Sequence, residues 1–338
     1  MLNGNPESEL SADAGRNPMD VCLMIEGQEG VSWEQWVSLA LGCEEHGFEG
    51  LFRSDHYLSF SRPAELGSLD AWATLAALGP QTSRIRLGTL VSPASFRHPS
   101  ELAKSVVTAD HASNGRVELG MGAGWFEGEH TAYGFPFPPI SERFDILEEQ
   151  VEIVHRLWDR DEDEVTFQGK HYQLKGCHGL PKPVQDPHPP LIVGGHAGKR
   201  SLRMAAQWAD EYNVSGQTPE ECRNIGEALL SACEAIERDP VELPLSLMTF
   251  TMVAEDQGAL ESKAEQLLKR RGESGDPAAW LVSLGPERLR GTPEQILEHL
   301  ARYAEAGVNR IMMQHLLHED LEALALIGKE IIPGASDL

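Results

Sequence analysis

The chain has 338 residues, 41% of them hydrophobic and 24% charged, so it holds enough apolar material for a sizeable core and is not disordered throughout. Lys and Arg total 28 against 53 for Asp and Glu, which gives a net charge of -25. Such a surface repels the phosphates of nucleic acids and of anionic lipids. Nucleic-acid and membrane partners are therefore not expected.

The chain begins with a polar, acidic stretch, which we interpret as a flexible tail over residues 1–18. One folded unit is predicted over 19–332, followed by a C-terminal tail over 333–338. Neither a signal-peptide pattern nor an apolar run of about 20 residues is present. The five cysteines form no CxxC pair, which argues against disulfides and zinc and predicts a cytoplasmic protein.

From residue 19 onward, short apolar runs alternate with amphipathic stretches, a pattern typical of repeated βα units. Helices such as 33–45, 99–109 and 141–157 are predicted between the strands. Eight strands with no linker between them favour one (β/α)8 TIM-type barrel over a doubly wound sheet. The predicted strands are 21–25, 50–53, 85–90, 117–121, 190–193, 211–214, 245–253 and 309–313.

Two segments interrupt the repeat and are interpreted as insertions after strands four and seven. The first, 159–189, has an acidic run and a hairpin that turns at Gly169 and Lys170. The second, 272–291, contains Gly and Pro and carries Trp280. Long connections in such a barrel form substrate walls or plain surface loops, and the sequence leaves both interpretations open.

Several common motifs are incomplete. The glycines at 120–124 do not complete the dinucleotide fingerprint, and 194–200 has neither the spacing nor the hydroxyl residue of a P-loop. The 13 histidines form no HExxH or comparable cluster, so no metal site is expected.

Asp55 and His56 directly follow the second predicted strand, at the end of the barrel where chemistry takes place in such folds. An imidazole at this position can move a proton near neutral pH, and the carboxylate can orient a bound ring. The alternative is a polar pair that only caps the next helix.

Two glycine-rich turns also follow predicted strands. Glycines at 120–124, with Trp125, Glu129 and Tyr133 after them, let backbone amides approach an anion and aromatic rings flank a planar group. The turn at 194–198 precedes a helix whose N-terminal amides would hold a phosphate. Alone, the first turn is a weak signal, because glycine-rich turns with aromatic residues are common in loops, and the second turn alone favours a plain βα connection. Cations near these strand ends would offset the acidic surface for an anionic ligand: Arg53, Arg97, His98, Lys199 and Arg200.

Together these segments resemble the bacterial luciferase-like monooxygenase superfamily, and more closely its branch of oxidoreductases that use the deazaflavin coenzyme F420. The resemblance covers roughly residues 19–332 and depends on the order and content of many segments. The segments that carry it include Ser54-Asp55-His56-Tyr57, residues 88–93, 110–116, 120–125, 132–136, 167–172 and 190–195.

The resemblance implies a barrel that binds the deazaflavin across its strand ends, with Asp55 and His56 as catalytic residues beside it. It also implies a non-proline cis peptide bond between Leu90 and Val91, phosphate contacts from the two glycine turns, and a homodimer. The implied cofactor contacts are Asp55, His56, Leu90, Val91, Gly122, Ala123, Gly124, Trp125, Glu129, Tyr133, Gly194, Gly195, His196, Ala197 and Gly198.

The main hypothesis is an F420-dependent oxidoreductase that transfers a hydride between the deazaflavin and a small organic substrate, with His56 handling the coupled proton. One alternative is a monooxygenase that uses reduced FMN and oxygen, and another is a non-catalytic barrel that binds a flavin. Sugar-phosphate dehydrogenases of the F420 branch carry a glutamate directly after the strand-four glycines, where this chain has Trp125. Sugar-phosphate oxidation is therefore not expected.

Overall fold

The computed structural model describes residues 18–62 and 64–338, so the predicted N-terminal tail lies almost wholly outside the described residues. In that part of the chain the strands are β1 Asp20–Ile25, β2 Gly50–Arg53, β3 Arg86–Thr89, β4 Ser92–Pro93, β5 Val117–Gly122, β6 Val165–Gln168, β7 Gln173–Cys177, β8 Leu191–Gly194, β9 Glu211–Ser215, β10 Leu245–Val253, β11 Leu289–Gly291 and β12 Val308–Gln314. The α-helices are α1 Trp33–Glu45, α2 Ala71–Leu78, α3 Pro99–Ser113, α4 Glu127–Tyr133, α5 Ile140–Trp158, α6 Lys199–Trp208, α7 Pro219–Glu234, α8 Gln257–Arg271, α9 Pro277–Ser283, α10 Pro293–Glu305, α11 Leu321–Leu326 and α12 Ile332–Ala335.

Eight parallel strands close into a barrel in the order β1, β2, β3, β5, β8, β9, β10 and β12, and β12 pairs with β1 to complete the circle. These are the eight predicted strands with no end shifted by more than one residue, so the predicted (β/α)8 barrel is confirmed. The short strands β4 and β11 add to β5 and β10. No helix of the described residues is both long and apolar enough to cross a membrane.

Apolar side chains fill the barrel in two places, its centre and the layer between strands and helices. Cys22, Met24, Phe52, Ile192 and Met312 meet along the axis, where alternate residues of each strand point inward. At the N-terminal end of the barrel the interior is ionic. Arg310 Nη1 lies 2.8 Å from Glu118 Oε2 and 2.9 Å from Glu211 Oε2, so one guanidinium bridges two buried carboxylates, and Arg86 pairs with Glu118 as well.

The C-terminal residues belong to the folded unit, which corrects the predicted tail over 333–338. Ala335 ends α12, its side chain is fully buried, and its carbonyl accepts a hydrogen bond from Met19 N at 3.3 Å.

The first insertion forms the predicted hairpin, β6 and β7, but it follows helix α5 and not the end of a barrel strand. The carboxylate of Glu149, in the middle of α5, accepts hydrogen bonds from the backbone amides of Lys170 (2.7 Å), His171 (2.9 Å) and Tyr172 (3.0 Å). The hairpin tip is therefore fixed to the outside of the barrel.

The second insertion lies at the C-terminal end of the barrel. It contains α9 and β11, and β11 pairs with the last residues of β10, Thr251 with Leu289 and Val253 with Gly291. Arg270, at the end of α8, donates to the carbonyl of Glu29 at 3.1 Å, which ties this helix to the loop after β1. The insertion therefore covers one side of the barrel mouth.

Candidate active site

His56 lies in the loop after β2 and is held by Glu129 of α4. Its Nδ1 is 2.7 Å from Glu129 Oε2, while the other carboxylate oxygen accepts the backbone amides of Leu58 (3.0 Å) and Tyr57. Since a carboxylate offers only acceptors, Nδ1 carries the proton and Nε2 is left for another partner. Nε2 makes no hydrogen bond with the described residues and is accessible to solvent. It is therefore free to accept a hydrogen bond at the barrel mouth.

Glu129 itself is fully buried, with 0% of its side chain exposed. Burial raises the pKa of Glu129, but the hydrogen bonds from His56 and from two backbone amides outweigh it and hold the pKa below its usual range. The carboxylate is therefore ionised at neutral pH. Its burial also places Glu129 behind the His56 ring, which it holds through Nδ1.

Asp55 makes different contacts from its neighbour His56. Its buried carboxylate accepts Arg97 Nη1 at 2.5 Å, Arg97 Nη2 at 3.2 Å and Ser92 Oγ at 2.7 Å. Arg97 also reaches Asp70 at 2.6 Å and the hydroxyl of Tyr57 at 3.0 Å. This network connects the loop after β2 to the start of α3 and fixes the backbone that carries His56.

The Leu90–Val91 peptide bond is cis, as the family resemblance predicts. The side chain of Val91 lies over glycines of two neighbouring strands. A Cβ added to Gly122 would lie 2.6 Å from Val91 Cγ2, and one added to Gly194 would lie 3.0 Å from Val91 Cγ1. The glycines at these strand ends therefore leave the space that Val91 occupies.

The turn at 194–198 is fixed by Tyr212 of β9. The Tyr212 hydroxyl accepts the amide of Ala197 at 2.9 Å and lies 2.9 Å from Ser201 Oγ. Ala197 has a φ of 56°. A Cβ on Gly195 would collide with the Tyr212 hydroxyl, so glycine is required there.

Helix α6 begins directly after this turn with no side-chain cap on its first amides. Free amides at a helix N-terminus suit an anion such as a phosphate. The turn Gly122–Trp125 ends the adjacent strand β5, where Gly124 has a φ of 74°. The two glycine turns therefore lie side by side, because β5 and β8 are paired.

Three of the five predicted cations are committed to internal contacts, which corrects the expectation that they face a ligand. Arg53 is buried and donates to Ser68 Oγ (2.8 Å) and the carbonyl of Leu69 (2.9 Å). Arg97 holds Asp55, and Arg200 pairs with carboxylates of α5. Lys199 and His98 remain exposed.

Aromatic rings surround the open side of His56. The centroid of His56 lies 4.9 Å from that of Phe60 and 5.8 Å from that of Trp125. Trp125 is 64% exposed, and Phe60 and Tyr133 are also exposed. Tyr133 packs against Tyr57 with the two rings tilted by 40° and their centroids 5.3 Å apart. These rings form an apolar rim through which a substrate would reach Nε2 of His56.

A cavity of about 570 Å³ opens at the barrel mouth and includes Phe60, so it adjoins His56. This volume is within the usual range for small-molecule sites. Its floor consists of residues at the ends of β1, β10 and β12, and its roof is the second insertion, as the sequence allowed. Residues 159–189 do not line it. Its lining includes Glu26, Glu29, Phe250, Arg270, Arg271, Trp280, Leu284, Arg288, Gln314, His315 and His318.

The structure thus brings together His56, Glu129 and Trp125, and separately the two glycine turns with Val91. Sequence reasoning missed most of the cavity lining. Glu26 and Gln314, for example, end or directly follow barrel strands, a position that signals a site residue in this fold.

The family model for the luciferase-like monooxygenases matches residues 19–310, and the chain belongs to this family. An F420-dependent glucose-6-phosphate dehydrogenase of Nakamurella multipartita is 29% identical over 327 residues, which span 88% of this chain and 91% of that protein. A protein of the same name from Microbacterium testaceum is 28% identical, over 86% and 90% of the two chains. Among solved structures, an F420-dependent secondary alcohol dehydrogenase in complex with an F420-acetone adduct has a TM-score of 0.77 at 20% identity, covering 94% of this chain and 99% of the other.

Proposed function

We propose that this family member is an oxidoreductase that uses coenzyme F420 to transfer a hydride to or from a small organic substrate. Relatives named as F420-dependent dehydrogenases match it over most of both chains. The observation that carries the proposal is His56, held at Nδ1 by a buried carboxylate and open at Nε2 beside two glycine turns.

The residues present fit F420. The uncapped N-terminus of α6 and the turn around Gly124 offer backbone amides for its phosphate, and Val91 offers an apolar platform for a planar ring. Gly195 and Gly198 keep that turn free of side chains, so a charged group can approach the amides. When bound, F420 supplies the ring carbon that carries the hydride.

The chain's own residues supply orientation and the proton. When an alcohol is oxidised, Nε2 of the neutral His56 ring accepts the hydroxyl proton; when a carbonyl is reduced, the imidazolium form of His56 gives its Nε2 proton to the substrate oxygen. Trp125 follows the glycines at the end of β5, the fourth strand of the barrel. Its side chain has no titratable group, so the proton transfer falls to His56. Asp55 acts as a positioning residue, because its carboxylate is occupied by Arg97 and Ser92.

We also infer a cytoplasmic location, because the five cysteines are all free and four of them are buried. The homodimer remains a prediction from the family resemblance. Size-exclusion chromatography with light scattering tests it, and a monomer at micromolar concentration would contradict it.

Titration of the purified protein with oxidised F420 and, separately, with FMN tests the cofactor assignment through tryptophan fluorescence. We expect F420 to bind at micromolar concentration and FMN at least tenfold more weakly, an estimate of about 1.4 kcal/mol. Gly195→Asp should abolish F420 binding. Gly226→Asp is the matched control, because a side chain there meets no atom within 4 Å.

Tighter binding of FMN would contradict the proposal and favour the oxygen-inserting alternative. Binding of F420 without any turnover in a screen of alcohols, aldehydes and ketones would favour a non-catalytic barrel. F420 binding by Gly195→Asp as tight as by the Gly226→Asp control would show that the 194–198 turn is not the phosphate contact.

A further inference from the structure

The cavity at the barrel mouth has an apolar wall built largely from rings. Phe60, Phe250 and Trp280 line it together with Leu284 and Leu316. The rings of Phe250 and Trp280 are perpendicular, with centroids 6.1 Å apart, and they form a corner. A flat apolar group packs well in such a corner, since ring faces and edges are both offered.

The carboxylates on the cavity floor are already bonded within the chain. Glu26 accepts Gln314 Nε2 at 2.6 Å on one oxygen and Gln28 Nε2 at 2.8 Å on the other. Glu29 accepts Ser59 Oγ and the amide of Phe60, each at 2.9 Å. These two groups have few acceptor positions left for a ligand.

Arg270 is likewise occupied. Its Nη1 lies 2.7 Å from Glu319 Oε2, and its Nη2 contacts the carbonyl of Glu29 and the ring of His318. The pKa of His318 is lowered to about 4, through burial and then through the positive charge of Arg270, so His318 is neutral at pH 7.

Arg271 and Arg288 are different. Arg271 makes no ion pair or side-chain hydrogen bond with any residue that the structure describes, and Arg288 uses only its Nε, on Glu287 at 3.1 Å. Both arginines line the cavity, and their remaining side-chain N–H groups have no acceptor among the residues that the structure describes. A guanidinium fork matches a carboxylate or phosphate in two parallel hydrogen bonds. Glu273, the other charged lining residue, is exposed.

We propose that this cavity binds the substrate, and that the substrate is an organic anion with a flat apolar body. The body packs against Trp280 and Phe250, and the anionic group bonds to Arg271 and Arg288. The end that reacts lies on the Phe60 side, beside His56. The inference rests on the proposed function for the reaction, but the binding itself is measurable without F420.

Isothermal titration calorimetry with 2-naphthoate and 2-naphthamide tests this assignment, because the two probes share a ring system and differ in charge. We expect naphthoate to bind about tenfold more tightly than naphthamide, and Arg271→Gln or Arg288→Gln to remove most of that difference. Trp280→Leu should weaken the binding of both probes. Arg203→Gln is the control, because Arg203 lies on α6 with 69% of its side chain exposed. It should leave the affinity for both probes unchanged.

Equal affinity for the two probes, or arginine variants that bind naphthoate as the unaltered protein does, would overturn the inference. Tighter binding of glucose 6-phosphate than of naphthoate would overturn the inference that the substrate has a flat apolar body. Arg271→Lys keeps the charge and should retain part of the affinity, which separates charge loss from misfolding. A protein that binds F420 and neither probe contradicts only this inference, while naphthoate binding without F420 binding contradicts only the proposed function.

Discussion

Replacing Glu129 by glutamine keeps the shape of the side chain and removes the charge that holds His56. The carboxylate accepts three hydrogen bonds, from His56 and from the amides of Tyr57 and Leu58. A hydrogen bond to a charged group contributes about 1.5–3 kcal/mol, and a neutral one about 0.5–1.5 kcal/mol. Glutamine retains the two amide bonds as neutral bonds, so we expect the free energy of unfolding to fall by about 2–3 kcal/mol at pH 7.

The loss should depend on pH in a defined direction. The pKa of Glu129 lies below its usual value because of its hydrogen-bond donors, although burial opposes them. Its stabilising effect is therefore complete above about pH 4.3, the ordinary glutamate value, and is lost as the pH falls through the depressed pKa. Urea unfolding of both proteins at pH 7 and at pH 3 measures this, and the difference between them should shrink in acid.

The same substitution should change the tautomer of His56. The amide of glutamine donates where the carboxylate accepted, so the proton of His56 moves from Nδ1 to Nε2. Nitrogen-15 NMR of labelled histidine reports this directly, and turnover should fall about 10²-fold, at the low end for a general acid or base. Glu129→Asp keeps the charge and should preserve the tautomer.

Glu127→Gln is the control, since Glu127 is exposed two residues away on the same helix. It should change neither stability nor tautomer. An unfolding free energy for Glu129→Gln equal to that of the control, or an unchanged His56 tautomer, would refute the reasoning.

Two further predictions concern the glycine turn and the base of the barrel. Gly195→Ala should weaken F420 binding at least tenfold, about 1.4 kcal/mol, because its methyl group meets the fixed hydroxyl of Tyr212. Fluorescence titration measures this, with Gly226→Ala as the control. Equal F420 affinities of the two variants would contradict the prediction. Arg310→Gln should lower the free energy of unfolding by about 3–5 kcal/mol, because it leaves the buried carboxylate of Glu211 without a cation and leaves Glu118 with Arg86 alone. Urea denaturation measures the second effect, and a loss below 1 kcal/mol would mean that the ion pairs contribute no more than surface pairs.

The architecture could be predicted because it depends on local patterns. Buried parallel strands are continuous apolar runs, whereas in the helices between them the apolar residues recur with the helical period. Eight repeats of this pattern indicated a closed barrel. The strand-end glycines and the pair Asp55 and His56 were found for the same reason. A strand end is readable from the sequence, and in this fold strand ends converge on one face.

That these arginines bond within the chain, and not to a ligand, could not be predicted. Arg53, Arg97 and Arg200 follow strands just as site residues do, but each is bonded to other residues of the chain. A residue's position along the chain gives its location on the barrel but not its partner. The same limit applies to Asp55, whose neighbour Arg97 is 42 residues away.

The barrel, the two glycine turns and the place of His56 could be predicted because they follow from runs of a few residues and from their order. Contacts between distant segments could be seen only in the folded chain: Glu129 lies behind His56, 73 residues from it, and the second insertion covers a cavity whose floor includes the ends of the first and last strands. Closure of the sheet produces the cavity. Pairing β12 with β1 brings together side chains from both ends of the chain, and no local pattern encodes which of them meet.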